Sequence, residues 1–117
     1  MIEIDQLHAT ERGSGFQYPA AFWSAVEQLQ AVSEEPGFAN TFRDMRTAMA
    51  QDVENARDLG LDKSFVPFMC EQQPAHMDYY CVGCDEPTIV VFAVHTTVGE
   101  WPDITAFIEW ARQRCKL

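Results

Sequence analysis

The sequence reads as an α+β fold, an antiparallel sheet meander packed against N-terminal helices and a C-terminal helix. Apolar residues recur at spacings of three and four before residue 60 and again after residue 103, the period of a half-buried helix. Between residues 65 and 95 that recurrence gives way to short runs rich in Val, Ile, Phe and Tyr, set apart by turn residues. Helices, then strands, then a helix is the order of an α+β domain.

Residues 1–18 carry no clean period, and Gly13-Ser14-Gly15 signals a loop. Pro19 suits the first position of a helix. Phe22, Val26 and Leu29 then form one stripe with Trp23 beside it, which predicts a helix from about Pro19 to Val32. Ser33-Glu34-Glu35-Pro36-Gly37 ends it. A second helix, the longest, is expected through Phe42, Met45, Met49, Val53 and Ala56, with the methionines filling core. Arg43, Asp44, Arg46, Asp52, Glu54, Arg57 and Asp58 make its polar face, and Gly60 stands where a cap glycine belongs.

The extended half opens with Phe65-Val66-Pro67-Phe68-Met69, whose proline points to an edge strand or a strand end. Residues 71–77 read as a turn, and Asp78–Val82 as a second strand favoured by Tyr79 and Tyr80. Gly83 to Pro87 is a turn. Thr88–His95 is the strongest strand, and its unbroken apolar run Ile89–Val94 predicts burial on both faces, a central position and antiparallel pairing with Asp78–Val82. Thr96-Thr97-Val98-Gly99 leads out. A last helix begins near Asp103, with Ile104, Phe107, Ile108, Ala111 and Cys115 on one stripe. Asp103 suits its positive end, and Arg112, Arg114 and Lys116 its negative end.

The chain of 117 residues reads as one domain over 1–117, and 47% apolar residues give it a core without a staple. Eight Lys and Arg stand against 18 Asp and Glu, a net charge of −10. That balance argues against a nucleic-acid binder and against docking on an anionic membrane, and it favours a basic partner. The beginning Met-Ile-Glu-Ile-Asp shows neither the basic nor the apolar part of a secretory signal. The longest apolar run is far short of a membrane span. A cytoplasmic location is therefore expected, with the four cysteines as thiols.

Cys81-Val82-Gly83-Cys84 is the obvious chemical motif, but it closes a strand instead of opening a helix. It thus lacks the helix terminus that activates a redox pair, and no second close pair completes a zinc set. Cys81, His95 and Asp78 are the types a nucleophilic set needs, yet no phosphate loop, HExxH or GxSxG accompanies them. No catalytic residue, cofactor or metal is expected. Charge placement says more: residues 64–111 hold no Lys or Arg but seven acids. A partner-binding face is expected at Glu71, Asp85, Glu86, Glu100 and Asp103, with Tyr80 and Trp101 as aromatic anchors.

Ser64-Phe-Val-Pro-Phe-Met, Asp78-Tyr-Tyr-Cys-Val, Thr88-Ile-Val-Val-Phe-Ala-Val-His and Asp103-Ile-Thr-Ala-Phe-Ile-Glu-Trp together resemble the SUKH superfamily. These are bacterial immunity proteins related to the fungal Smi/Knr cell-wall regulators. Where that family carries a glycine cluster before the Asp, this chain has Gln72-Gln-Pro-Ala-His-Met77. The resemblance implies an α+β fold without catalysis. It also implies a cytoplasmic antitoxin that binds and neutralises one cognate toxin, often a nuclease, delivered between competing bacteria. A regulatory scaffold or adaptor of the same fold is the alternative, and a small thiol or metal enzyme a further one.

Overall fold

The structure, a computed structural model, describes residues 2–115. Among them five strands form one antiparallel sheet in chain order: β1 (Met45–Thr47), β2 (Phe65–Gln72), β3 (Met77–Gly83), β4 (Ile89–Ala93) and β5 (Thr96–Trp101). The helices are α1 (Ile4–Ser14), α2 (Ala20–Ser33), α3 (Pro36–Thr41), α4 (Ala50–Asp58) and α5 (Ile104–Cys115). The α+β class and the meander are as the sequence predicts. Among the described residues no helix is long and apolar enough to cross a membrane.

Every residue of β4 is buried, and it lies between β3 and β5. Its register with β3 runs from Asp78↔Ala93 to Val82↔Ile89. Ile89 and Val91 join the larger core, made with Phe22 and Leu29 of α2, Phe38 of α3 and Phe107 of α5. Val90 and Phe92 join a smaller core on the opposite face, with Ala56 of α4 and Leu61. A sheet covered on both sides thus explains the run from Ile89 to Ala93; Val94, expected in the strand, is instead exposed in the following turn at φ +60°.

Several expectations are corrected. Residues 4–14 form α1, although only Leu7 and Thr10 of that helix are buried. Its hold is polar: Thr10 Oγ1 donates to the Ala48 carbonyl at 2.8 Å and the Glu3 N–H donates to Thr47 Oγ1 at 2.7 Å. Such a helix leaves almost no hydrophobic stripe to read.

The long second helix does not exist. Its span holds the residue that caps α3, strand β1 and α4, and among the described residues α2 with 14 is the longest helix. The spacing of Phe42, Met45, Met49 and Val53 misleads because these residues serve different neighbours. Phe42 lies in the larger core, Met45 pairs with Glu71 across β1–β2, and Met49 is exposed. Asp52 marks the break. It accepts two bonds from the Arg46 guanidinium, both 2.6 Å, and one from the Met49 N–H at 2.7 Å, so it caps α4 and pins β1 to it. Gly60 follows α4 at φ +106°, as its cap role requires.

The strand around Pro67 is longer than expected and interior, between β1 and β3. The proline is tolerated for two reasons. β1 pairs only with residues 69–71, and the β2–β3 register shifts between Pro67 and Met69. The Pro67 carbonyl takes the buried Tyr18 hydroxyl at 2.6 Å. The turn expected at 71–77 shrinks to residues 73–76. Thr96–Gly99, expected to lead out, belongs to the outer strand β5. His95 lies in the Val94–His95 turn and not in a strand. Its Nδ1–H donates to the Leu59 carbonyl at 2.8 Å. The last helix starts as expected, with Asp103 Oδ1 accepting the Ala106 N–H at 2.8 Å. Lys116 falls outside the described residues.

Replacing Asp52 by Ala removes three charge-assisted bonds at the junction of β1 and α4. The loss of stability is expected at roughly 2–3 kcal/mol by urea unfolding. Asp58→Ala, on the exposed end of the same helix, is the control and stays within about 0.5 kcal/mol. An Asp52 variant as stable as that control would mean the break is held elsewhere.

Candidate partner-binding surface

The seven residues singled out for docking do not form one face. A meander puts alternate turns at opposite ends of its sheet, and here the ends carry different chemistry. The β3–β4 turn, the end of β5 and the start of α5 share one end. The β2–β3 hairpin and the Val94–His95 turn share the other.

At the first end Asp85 and Glu86 are exposed. Gly83 makes their turn possible, since a Cβ there would stand 2.5 Å from the Glu86 carbonyl oxygen. The Gly83 N–H donates to the Thr88 carbonyl at 3.0 Å and the Cys84 N–H to that of Ser64 at 2.7 Å. Both neighbours of the turn are therefore anchored while its carboxylates stay in water. Beside it runs an open groove of about 510 Å³ between α2 and the start of α5. Ala21, Ser24 and Ala25 form one wall, Pro87, Asp103 and Ile104 the other, and among the described residues no Lys or Arg lines it. Glu100 is exposed at the same end, but it pairs with Val90 and so lies on the α4 face of the sheet. Trp101 is no exposed anchor. It pairs with Ile89 on the other face and packs its ring 5.0 Å from Phe107 and 4.7 Å from Trp110.

Glu71 and Tyr80 lie at the opposite end, in a second groove of about 570 Å³. Both are buried, at 8% and 4% exposure. The Pro67 bulge explains how Glu71 arrives there. Val66 faces the larger core, and strict alternation would send residue 71 to the other face. The extra residue inverts the alternation, so Glu71 comes directly opposite Asp78 and beside Tyr80. Gln73 Nε2 donates to Glu71 Oε1 and Asp78 Oδ2, both at 3.0 Å, and His76 Nε2 stands 3.0 Å from Asp78 Oδ1. The Tyr80 hydroxyl donates to Glu71 Oε1 at 3.5 Å. Burial, and then the Asp78 charge, push the Glu71 carboxyl above its ordinary range; the Tyr80 bond and the Arg114 charge pull the other way. Burial likewise raises the Tyr80 phenol. Trp110, Arg114, Phe42 and Arg43 also line this groove. Sequence reasoning missed all four as site residues. The pairing of Glu71 with Asp78 was within reach, given a four-residue hairpin loop.

The thiol readings lose their geometry. Cys81 lies in the smaller core, while Asp78 shares the opposite face with Tyr80, and His95 is tied to Leu59. These three are not brought together. Cys70 and Cys81 are fully buried and their thiols are pushed up by burial, as is the half-buried Cys84 thiol, where the Arg57 charge opposes the effect. Among the described residues no group of three or more His, Cys, Asp or Glu is placed to hold a metal ion.

Comparison with protein-family models, with curated proteins and with solved structures found no match.

Two outcomes follow from these environments. A thiol-specific disulfide reagent at neutral pH should label Cys84 and Cys115 in the folded protein, and Cys70 and Cys81 only on unfolding. Fast labelling of Cys81 would contradict its burial. Because the folded-state pKa of Glu71 is raised, its ionisation works against folding. Glu71→Gln should raise the melting temperature by about 2–5 °C at pH 7. That gain should vanish as the pH falls below 4.5, the ordinary Glu value, where the carboxyl is protonated in both states. A lower melting temperature at pH 7 would mark Glu71 as a stabilising group instead.

Proposed function

We propose that this chain is a SUKH-type immunity protein that binds and neutralises a basic protein toxin in the cytoplasm, without catalysis of its own. The observation that carries this reading is the end of the sheet bearing Asp85, Glu86 and Asp103. There a groove with Ala21, Ser24 and Ala25 along one wall is flanked by acids, and among the described residues no Lys or Arg lines it. Small walls let a partner's backbone approach, and an acidic rim steers a basic surface toward it. A toxin that works on a polyanion, such as a nuclease, must present such a surface. The segments that carry the resemblance support the reading as well, since they build β2, β3 and β4, which are neighbours in the sheet, and α5, whose Phe107 packs on Phe68 of β2 and Tyr80 of β3. The seven acids of residues 64–111 serve this docking unequally: Asp85, Glu86 and Asp103 meet the partner at the groove, and Glu100 adds to the field from the far face.

The test is co-expression with the protein encoded by the neighbouring reading frame. This chain should relieve the growth arrest that protein causes and should co-purify with it. Reversal of Asp85 and Glu86 to Lys should slow association about tenfold at low salt and flatten its salt dependence. The melting temperature should hardly move, because both residues are exposed turn residues. Unchanged association kinetics would remove this end from the interface. Absence of any protection would remove the immunity reading.

A further inference from the structure

We infer that the outer edge of β5 receives an extended, basic segment of the partner as an added strand; this deepens the docking reading and rests on it. β5 ends the sheet and pairs with β4 alone. Alternate N–H and C=O groups of such a strand point away from its one neighbour. Among the described residues no side chain and no backbone group outside the sheet bonds to residues 96–101. The opposite edge, β1, is three residues long and tied to Glu3 through Thr47, and shortness is one usual protection of an edge. β5 has six residues and neither Lys nor Pro, and its Thr96, Thr97, Val98 and Glu100 are exposed. Its one irregularity is the register shift opposite Val91 and Phe92, which leaves Val98 without a partner on β4. Val98 is 61% exposed, so the bulge presents an aliphatic group and not a charge.

The turn that leads into β5 points the same way. Ala93 pairs with Thr96, so Val94 and His95 form a two-residue hairpin loop. Such a loop needs a positive φ at its first central residue, where Gly or Asn fits best. Val94 stands there at φ +60° and is 46% exposed. A β-branched side chain in this region strains the backbone, and the 2.8 Å bond from His95 to the Leu59 carbonyl holds the turn in place. Strain and apolar exposure at Val94, and apolar exposure at Val98, have one common explanation: a strand laid along β5 covers both valines. Charge chooses the occupant. A second copy would bring another net charge of −10 and a second Glu100 to the same edge. A basic segment meets Glu100 on the α4 side of the sheet, where β5 contributes no residue to the smaller core. β5 also ends beside the acid-flanked groove, because Trp101 closes the strand and Asp103, two residues on, lines that groove. A partner docked there has the edge within reach.

The probe is the peptide acetyl-Lys-Val-Lys-Val-Lys-Val-amide, titrated into the isotope-labelled full chain at low ionic strength. Saturable amide shifts are expected along residues 94–101, and hydrogen exchange of the outward amides of β5 should slow at least about tenfold at saturation. The same peptide N-methylated at every residue has no donor for pairing and should not bind. Acetyl-Glu-Val-Glu-Val-Glu-Val-amide should bind at least about tenfold more weakly. Val98→Lys, which gives the edge a usual protection, should weaken binding at least about fivefold. Val94→Asn should also weaken binding but raise the melting temperature, because Asn tolerates the positive φ. Both positions are exposed, and retained chemical-shift dispersion shows that each variant folds. Absence of saturable shifts on β5 overturns the inference, as does equal binding of the glutamate or the methylated peptide. So does a lower melting temperature of Val94→Asn, which would make Val94 a packing residue. Dimerisation of the unaltered chain that Val98→Lys abolishes, read by sedimentation equilibrium, gives the edge to a second copy and overturns it too. A Val98→Lys protein that protects against the toxin as fully as the unaltered chain overturns the edge alone. Absent protection with peptide binding intact overturns the docking reading and leaves β5 a receptor for basic strands.

Discussion

A sheet that is apolar on both faces must be covered on both, and this requirement organises the chain. β3 and β4 send Tyr80, Val82, Ile89 and Val91 one way and Tyr79, Cys81, Val90 and Phe92 the other. At roughly 25 cal/mol per Å² of apolar surface, leaving either side open would forfeit several kcal/mol. Helices α2, α3 and α5 cover the first side. The second needs α4, and the chain must pass the sheet edge to put it there. β1 is that passage. It adds three residues to the edge, and on its α4 side Arg46 reaches the capping carboxylate of Asp52. A single helix over the same residues would have stayed on one side and left Val90 and Phe92 in water.

The same two-sided covering leaves the ends of the sheet as the places where polar groups gather. Interior residues of β3 and β4 are enclosed by helices, whereas the hairpin and the turns project beyond them. One local feature then decides what the hairpin end contains. Pro67 has no N–H for a ladder, so β2 carries a bulge, and the bulge turns Glu71 toward the helices. An acid that regular alternation would leave beside α4 is instead enclosed against Asp78 and an aromatic wall.

The legible parts of the fold were those in which burial and periodicity agree. Ile89–Val94 reads as a central strand because no polar residue interrupts it, and α5 reads as a helix because Ile104, Phe107, Ile108 and Ala111 share a stripe capped by Asp103. α1 was illegible because hydrogen bonds of Thr10 and Glu3 hold it more than a stripe does. The break between α3 and α4 was hidden because Phe42, Met45, Met49 and Val53 imitate a helical repeat while meeting three separate neighbours. For the surface, sequence picked out the acids but not their setting. Asp85 and Glu86 are exposed as a turn suggests, whereas Glu71, Tyr80 and Trp101 face inward, which depends on strand parity and on a bulge that composition does not reveal.

Charge connects the two ends of the sheet. With a net charge of −10, the folded chain concentrates more self-repulsion than the extended one, and compactness is opposed accordingly. Internal compensation is sparse: among the described residues Arg46–Asp52 is the one guanidinium–carboxylate pair, and the other ion pairs depend on histidine protonation. The acid pair at Glu71 and Asp78 adds a local instance of the same repulsion, and the burial of Glu71 sharpens it by lowering the local dielectric.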